Sequence, residues 1–187
     1  MLVVDDGSTD GTAEAARAAG AEAIVHPMNQ GKGAALRTGF GEALSRGVPG
    51  VVTMDADGQH PTECLPDFLD AARTADLVVG CRMEDPAGMP WLRLQTNRLT
   101  SWVVSALARR RIRDSQCGYR WISSEVLRAM KLATSNYETE SEILIRAGRS
   151  GFRIAELTIP AVYREETSHI RRGLDTLRFL RLVARFV

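Results

Sequence analysis

The chain has 187 residues, 44% of them hydrophobic and 25% charged, with a net charge of +1. This is enough for one buried core, and no run approaches the roughly 18 apolar residues of a membrane span. The N-terminus lacks a secretory pattern and Cys64, Cys81 and Cys117 form no CxxC pair, so a cytoplasmic protein with neither disulfide framework nor zinc site is expected.

The near-neutral total hides two opposed halves. Residues 1–90 carry 6 Lys and Arg against 14 Asp and Glu, whereas residues 91–187 carry 18 against 9. An acidic half suits a metal and a basic half an anionic partner; clustered surface charge explains the same counts without either.

Leu2-Val3-Val4 predicts a strand, followed by the acidic turn Asp5-Asp6-Gly7-Ser8-Thr9-Asp10-Gly11-Thr12. Thr9 or Asp10 is placed to cap a helix from Ala13 to Ala19, which Gly20 ends. An EF-hand loop is excluded, because its twelfth position falls on Arg17 where a bidentate Glu is needed. Ala23-Ile24-Val25 predicts a second strand, and Gly31-Lys32-Gly33 opens a helix whose Leu36, Phe40 and Leu44 share a face. Its N-terminus offers backbone N–H groups and a cation to a phosphate, although no GxxxxGK[ST] pattern is present and a plain helix entry is the simpler reading.

Val51-Val52-Thr53-Met54 predicts a buried strand that ends in Asp55-Ala56-Asp57-Gly58-Gln59-His60. Carboxylates beyond the C-terminal end of such a strand can hold a hard divalent cation, Mg²⁺ or Mn²⁺; the same residues also make an ordinary polar turn. A helix from Pro61-Thr62 to Arg73 follows, then the strand Asp76 to Arg82, which brings Arg82 to the same sheet edge. Repeated strand-helix-strand units predict a mostly parallel sheet flanked by helices. The breakers in Asp85 to Pro90 mark the only seam.

Beyond it, Trp91 to Ala108 predicts a helix carrying Arg93 and Arg98 that runs into Arg109-Arg110-Arg111-Ile112-Arg113. A second basic amphipathic helix spans Gly173 to Val187, and the pair suits either a membrane surface or ordinary core packing. Helices from Ser124 to Met130 and Glu140 to Arg149, and a strand from Arg153 to Ile159, complete the set. No aromatic platform accompanies the arginine run, so no nucleic-acid partner is expected.

Taken in order, Val4-Asp5-Asp6-Gly7-Ser8, Asn29-Gln30-Gly31-Lys32-Gly33, Asp55-Ala56-Asp57-Gly58-Gln59-His60, Gly80-Cys81-Arg82, Asp114-Ser115-Gln116-Cys117-Gly118-Tyr119-Arg120 and the 164–170 segment resemble glycosyltransferase family 2. The likeness is strongest to its polyprenyl- and dolichyl-phosphate sugar transferases. It implies a GT-A fold and inverting transfer from a GDP- or UDP-sugar to a polyprenyl phosphate at the inner membrane face. One catalytic domain over 1–187 is expected, with residues 1–90 serving donor and metal and residues 91–187 serving acceptor and membrane surface.

Position by position, the resemblance gives Asp5 or Asp6 to the nucleotide, Lys32 to the donor, and Asp55, Asp57 and Gln59 to the metal. Arg82 and Arg98 fall to the acceptor phosphate, and Arg164, Ser168 and His169 to the donor pyrophosphate. Family members begin with a further strand and helix, so the fold is expected to be incomplete at the N-terminus, leaving the Leu2–Val4 and Asp55 strands either apart or directly paired. Two other readings stay open: transfer to a hydroxyl, with Glu138, Glu140 or Glu142 as base, and a non-catalytic binding module.

Overall fold

The structure, a computed structural model, describes residues 1–84, 89–162 and 172–187. Strands β1 (Leu2–Asp5) and β2 (Glu22–Val25) are joined by helix α1 (Thr12–Ala18) and pair in parallel. Helix α2 (Lys32–Ser45) leads to β3 (Gly50–Thr53), and a 3-10 turn (Thr62–Cys64) and α3 (Leu65–Ala71) lead to β4 (Leu77–Cys81). Helix α4 (Trp91–Ala108), β5 (Arg120–Ser123), α5 (Ser124–Ala129), α6 (Glu138–Arg149), β6 (Ile154–Thr158) and α7 (Arg172–Ala184) follow. The segment with Arg164, Ser168 and His169 lies outside the described residues.

The parallel register expected of strand-helix-strand units holds for β1 with β2 and for β4 with β6. Between β3 and β4, however, lies β5, antiparallel to both, in the order β3-β5-β4-β6. The sequence reading contained no strand at 120–123. A four-residue strand with Arg and Ser at its ends shows no local periodicity, and its existence depends on partners far away in the chain.

Among the described residues, β1 and β3 do not pair, so the strands form a two-stranded and a four-stranded sheet. Of the two outcomes expected for these strands, the structure shows separation. Helix α2 spans the junction, packing on β1 on one side and on β3, α5 and α6 on the other.

The core lies around β4, all five of whose residues are buried, as a near-continuous apolar run implies. Phe68, Tyr119 and Ile122 pack there, with Ile143, Leu144 and Ile145 from α6 and Val104 and Ala108 from α4. Gly148 allows α4 and α6 to touch: a Cβ at this position would sit 2.3 Å from the Ala108 carbonyl oxygen. At α1, Gly11 takes the cap position with φ of 79°, while Asp10 serves the helix from one residue further out, accepting from the Thr12 N–H and hydroxyl.

Candidate active site

β3 and β4 both run antiparallel to β5, so they point the same way; Thr53, Arg120 and Val79 share one row. Two residues further on, Asp55 and Cys81 leave the same edge, about 9–10 Å apart at two strand spacings. Asp55, Asp57 and Arg82 therefore stand along one edge of the sheet, as the direction of their strands predicts.

The strand before the acidic turn and the residues after it are pinned by the segment that leads into β5. The Thr53 hydroxyl donates to the Gly118 carbonyl at 2.8 Å, and the Tyr119 hydroxyl donates to the Pro61 carbonyl at 3.1 Å. The Asp55 N–H donates to His60 Nδ1 at 2.9 Å, which leaves the imidazole proton on Nε2. The His60 ring stacks on Tyr119 at 5.1 Å, and Tyr119 lies against Phe68 at 4.2 Å. Burial lowers the His60 pKa, with Asp55 and Asp57 pulling in the opposite direction. Asp57 closes the turn on itself by accepting the Gln59 N–H at 2.9 Å.

Asp55 faces a cation of the chain itself. Lys32 Nζ lies 2.7 Å from Asp55 Oδ1 and 3.0 Å from Glu140 Oε1, and also sits 5.8 Å from the Tyr137 ring centre. Burial alone would push the Lys32 pKa down, but the two carboxylates outweigh it and raise it. Burial likewise opposes ionisation of Asp55, and Lys32, His60 and Arg120 outweigh it, holding the carboxyl below its ordinary range. The crowding explains a glycine at 118: a Cβ there would come within 2.8 Å of both Asp55 Oδ2 and Glu140 Oε1.

Two further residues build this arrangement: Arg120, which the sequence reading gives no role, and Glu142, which it gives only as a possible base for a hydroxyl acceptor. Arg120 is buried and donates to three carbonyls, of Cys117 at 2.7 Å, Glu140 at 2.6 Å and Ser115 at 2.9 Å, binding the 114–118 loop to α6. Glu142, wholly buried, accepts from the Ala133 and Thr134 N–H groups, the Thr134 hydroxyl and Arg146. It fixes the 133–135 loop, whose Ser135 carbonyl accepts from Ala34 N–H at the start of α2. Gly31 and Gly33 permit that approach; side chains there would collide with Ser135 and Thr139. Lys32 sits between them.

Asp5 and Asp6 turn inward. Asp5 accepts the Ser8 N–H at 2.7 Å, and Asp6 accepts from His26 Nδ1 at 2.7 Å and from the Gln30 and Gly31 N–H groups. His26 continues to the Thr38 hydroxyl at 2.9 Å. Asp6 thus positions the entry to α2. On the other flank, Arg82 makes a two-pronged ion pair with the wholly buried Asp114 at 2.8 and 3.1 Å. Arg98 lies on α4, lining an open cavity of about 560 Å³ together with Trp102, Arg110, Arg111 and Arg113.

The donor set fits a hard divalent ion. Asp55, Asp57 and Gln59 offer oxygen ligands, and Asp55 already stands against a cation at 2.7 Å. Among the described residues no three Asp, Glu, His or Cys side chains converge; two carboxylates and an amide oxygen are the ligand types that Mg²⁺ or Mn²⁺ takes.

An α/β sheet whose edge carries an acidic turn opposite arginines is the architecture of the GT-A fold, as a solved structure shows. The crystal structure of glucosyl-3-phosphoglycerate synthase from Mycobacterium tuberculosis with Mn²⁺, UDP and glucosyl-3-phosphoglycerate matches with a TM-score of 0.78 at 22% identity, over 98% of this chain and 67% of that one. The family model for glycosyl transferase family 2 matches residues 1–133, and the chain belongs to that family. Among relatives, an undecaprenyl-phosphate mannosyltransferase from Micrococcus luteus is 38% identical over 177 residues, covering 88% of this chain and 72% of that protein. A polyprenol monophosphomannose synthase from Mycolicibacterium smegmatis is 37% identical over 179 residues, covering 88% and 67%.

Proposed function

We propose that this enzyme transfers a sugar, with inversion and with a divalent metal, from a GDP- or UDP-sugar to a polyprenyl phosphate. The observation that carries the reading is the opposition of charges along one sheet edge. Asp55, Asp57 and Lys32 stand at one end, and Arg82 with the cavity of Arg98, Arg110, Arg111 and Arg113 at the other. The two relatives named for undecaprenyl phosphate and polyprenol give the anion its class.

The bond between the anomeric carbon and the donor diphosphate breaks, a bond to an acceptor phosphate oxygen forms on the opposite face, and the nucleoside diphosphate leaves. Asp55, Asp57 and Gln59 would hold the metal, which when bound supplies charge neutralisation to the departing diphosphate. Lys32 contributes a second cation on the donor side. The Asp5 and Asp6 turn shapes the nucleotide flank, Arg164, Ser168 and His169 are assigned to the donor pyrophosphate, and Arg82 and Arg98 hold the acceptor in line. A phosphate monoester with a second pKa of about 6 is largely ionised at neutral pH, so no proton needs to be removed from it.

The environment of the three glutamates supports a phosphate over a hydroxyl acceptor. Glu140 is engaged by Lys32, and Glu142 is saturated by its loop and Arg146. Glu138 has its Oε2 buried, with no hydrogen-bond partner among the described residues, and burial keeps that oxygen from an acceptor hydroxyl in solvent.

Among the described residues no helix is long and apolar enough to cross a membrane, and the proposed location is peripheral, at the cytoplasmic face. The test is to incubate the protein with GDP- and UDP-sugars, polyprenyl phosphate, and Mg²⁺, Mn²⁺ or EDTA. Lipid-linked sugar formed only with metal is the expected result; sugar delivered to a saccharide or protein hydroxyl, with none on the lipid phosphate, would overturn the reading.

A further inference from the structure

His60 offers more than a polar turn requires. Its Nδ1 accepts the Asp55 N–H at 2.9 Å, so the ring carries its proton on Nε2. Among the described residues nothing accepts a hydrogen bond from that Nε2–H, although His60 is only 7% exposed. A side chain needed only to hold the Asp55 N–H could be a short acceptor such as Asn or Ser. An imidazole adds a donor whose removal from water is left uncompensated.

The position of the ring identifies the group that this donor meets. Tyr119 extends β5 by one residue between β3 and β4, and its carbonyl accepts the Gly80 N–H of β4 at 2.9 Å. The His60 ring stacks on the Tyr119 ring, with centroids 5.1 Å apart and planes inclined by 28°. It therefore lies between the strand that leads to Asp55 and the strand that leads to Arg82, and the charges of Asp55, Asp57, Lys32 and Arg82 all act on it. The two nitrogens of an imidazole face nearly opposite ways. With Nδ1 turned to the Asp55 backbone, Nε2–H is turned away from the β3 end. The β4 end carries Arg82, whose Nε and Nη2 already donate to Asp114. A phosphate monoester presents three strongly accepting oxygens and calls for donors beyond one such guanidinium.

We infer that His60 is a catalytic residue of the proposed transfer: its Nε2–H donates to an oxygen of the acceptor phosphate, while Nδ1 ties that contact to the backbone of Asp55. A neutral donor orients the phosphate without handing it a proton, so the nucleophile stays ionised. One side chain thereby holds the acceptor in register with the acidic turn. The inference rests on the lipid-phosphate reading of the site.

The test compares the wild type with His60→Asn, His60→Gln and His60→Ala. The amide oxygen of Asn overlays Nδ1 and keeps the Asp55 contact with no donor at Nε2. The amide nitrogen of Gln reaches the Nε2 position and leaves the Asp55 N–H without its acceptor. For each protein the rate of transfer to farnesyl phosphate is divided by the rate of nucleotide-sugar hydrolysis, which needs the acidic turn but no acceptor phosphate. Loss of one hydrogen bond to a charged group should lower this ratio about 10- to 100-fold in the His60→Asn and His60→Ala variants. The KM for the nucleotide sugar should be unchanged in His60→Asn. In His60→Gln the ratio should stay within about fivefold of the wild type, even where the absolute rate falls. An unchanged ratio in His60→Asn, or one in His60→Gln as low as in His60→Ala, would overturn the inference and leave His60 as a prop for the turn. A second measurement needs neither turnover nor a folded variant in the comparison itself: the ¹H–¹⁵N signal of the His60 Nε2–H in the wild type, told apart from the other two of the three histidines by its tautomer and its loss in His60→Asn, should shift with farnesyl phosphate and not with nucleotide sugar. A shift in a protein that delivers sugar only to hydroxyls would refute the lipid-phosphate reading and leave the phosphate contact standing. No shift in a protein that does glycosylate the lipid phosphate would refute the contact alone.

Discussion

Replacing Lys32 by Met keeps an unbranched apolar stem and removes the ammonium from between Asp55 and Glu140, which it contacts at 2.7 and 3.0 Å. Two charge-assisted hydrogen bonds are lost, each of order 1.5–3 kcal/mol. The carboxylates are left facing each other: both lie 2.8 Å from the same point above Gly118, so they are no more than twice that distance apart. At an effective dielectric of about 20, two like charges about 5.5 Å apart repel by roughly 3 kcal/mol. Relief of Lys32 desolvation and access of water to side chains that are 24% (Lys32), 32% (Asp55) and 10% (Glu140) exposed reduce the sum. A net loss of about 2–3 kcal/mol follows, or a melting point lower by about 5–10 °C for a chain of this size. A divalent cation should then recover more stability in the variant than in the wild type, because it no longer competes with the ammonium; a competition of about 2 kcal/mol corresponds to metal binding tighter by roughly 30-fold. Differential scanning fluorimetry across a Mn²⁺ titration, with EDTA as the reference, measures both effects. Equal melting points without metal, or equal metal-induced shifts in the two proteins, would refute the argument that Lys32 and the metal share one site.

Glu142→Ala should cost about 3–5 kcal/mol in denaturant unfolding, as it strands two backbone N–H groups, a hydroxyl and Arg146. Burial raises the Glu142 pKa, but the bonds from Thr134 and Arg146 outweigh it and hold the group below its ordinary 4.5. Its contribution is therefore fully present above that value and lost as pH falls through the folded pKa, so Glu142→Gln should flatten the acid limb of the stability profile below about pH 4.5. Arg82→Ala should cost about 3–5 kcal/mol by leaving Asp114 buried without its guanidinium; Asp114→Asn in that background should return part of the loss if the carboxylate charge is its source. Arg98→Ala, on an exposed position, should stay within about 0.5 kcal/mol of the wild type in stability while raising the KM for polyprenyl phosphate and leaving nucleotide affinity unchanged.

Much of this architecture can be read from the residues. The apolar runs of β3 and β4 end in Asp55 and Arg82, and a common strand direction brings both to one edge. Pro90 and the arginines after Ala108 bracket α4 at the bounds its pattern predicts. What escapes such reading is whatever depends on distant partners. The β5 strand consists of Arg120, Trp121, Ile122 and Ser123 and exists because β3 and β4 flank it. Glu138, Glu140 and Glu142 look alike as acids near a helix start, yet one meets Lys32, one anchors a loop and one keeps an oxygen buried with no hydrogen-bond partner among the described residues. Asp6 reads as an open carboxylate in a polar turn; its bonds to His26, Gln30 and Gly31 span 20 to 25 residues and turn it into a structural anchor.

The division of the strands into two sheets has a consequence for how the molecule opens. A ladder of two four-residue strands is marginal by itself, and β1 and β2 are tied to the rest through α2 and the Asp6–His26–Thr38 chain of hydrogen bonds. The segment up to Lys32 therefore constitutes a separate unit of local unfolding, whose amides should exchange faster than those of β4 and β5. Lys32 lies at its hinge with the four-stranded sheet. Any ligand that engages Lys32 together with Asp55 staples the two units, so under the proposed function donor binding would protect the segment before Lys32 from local unfolding.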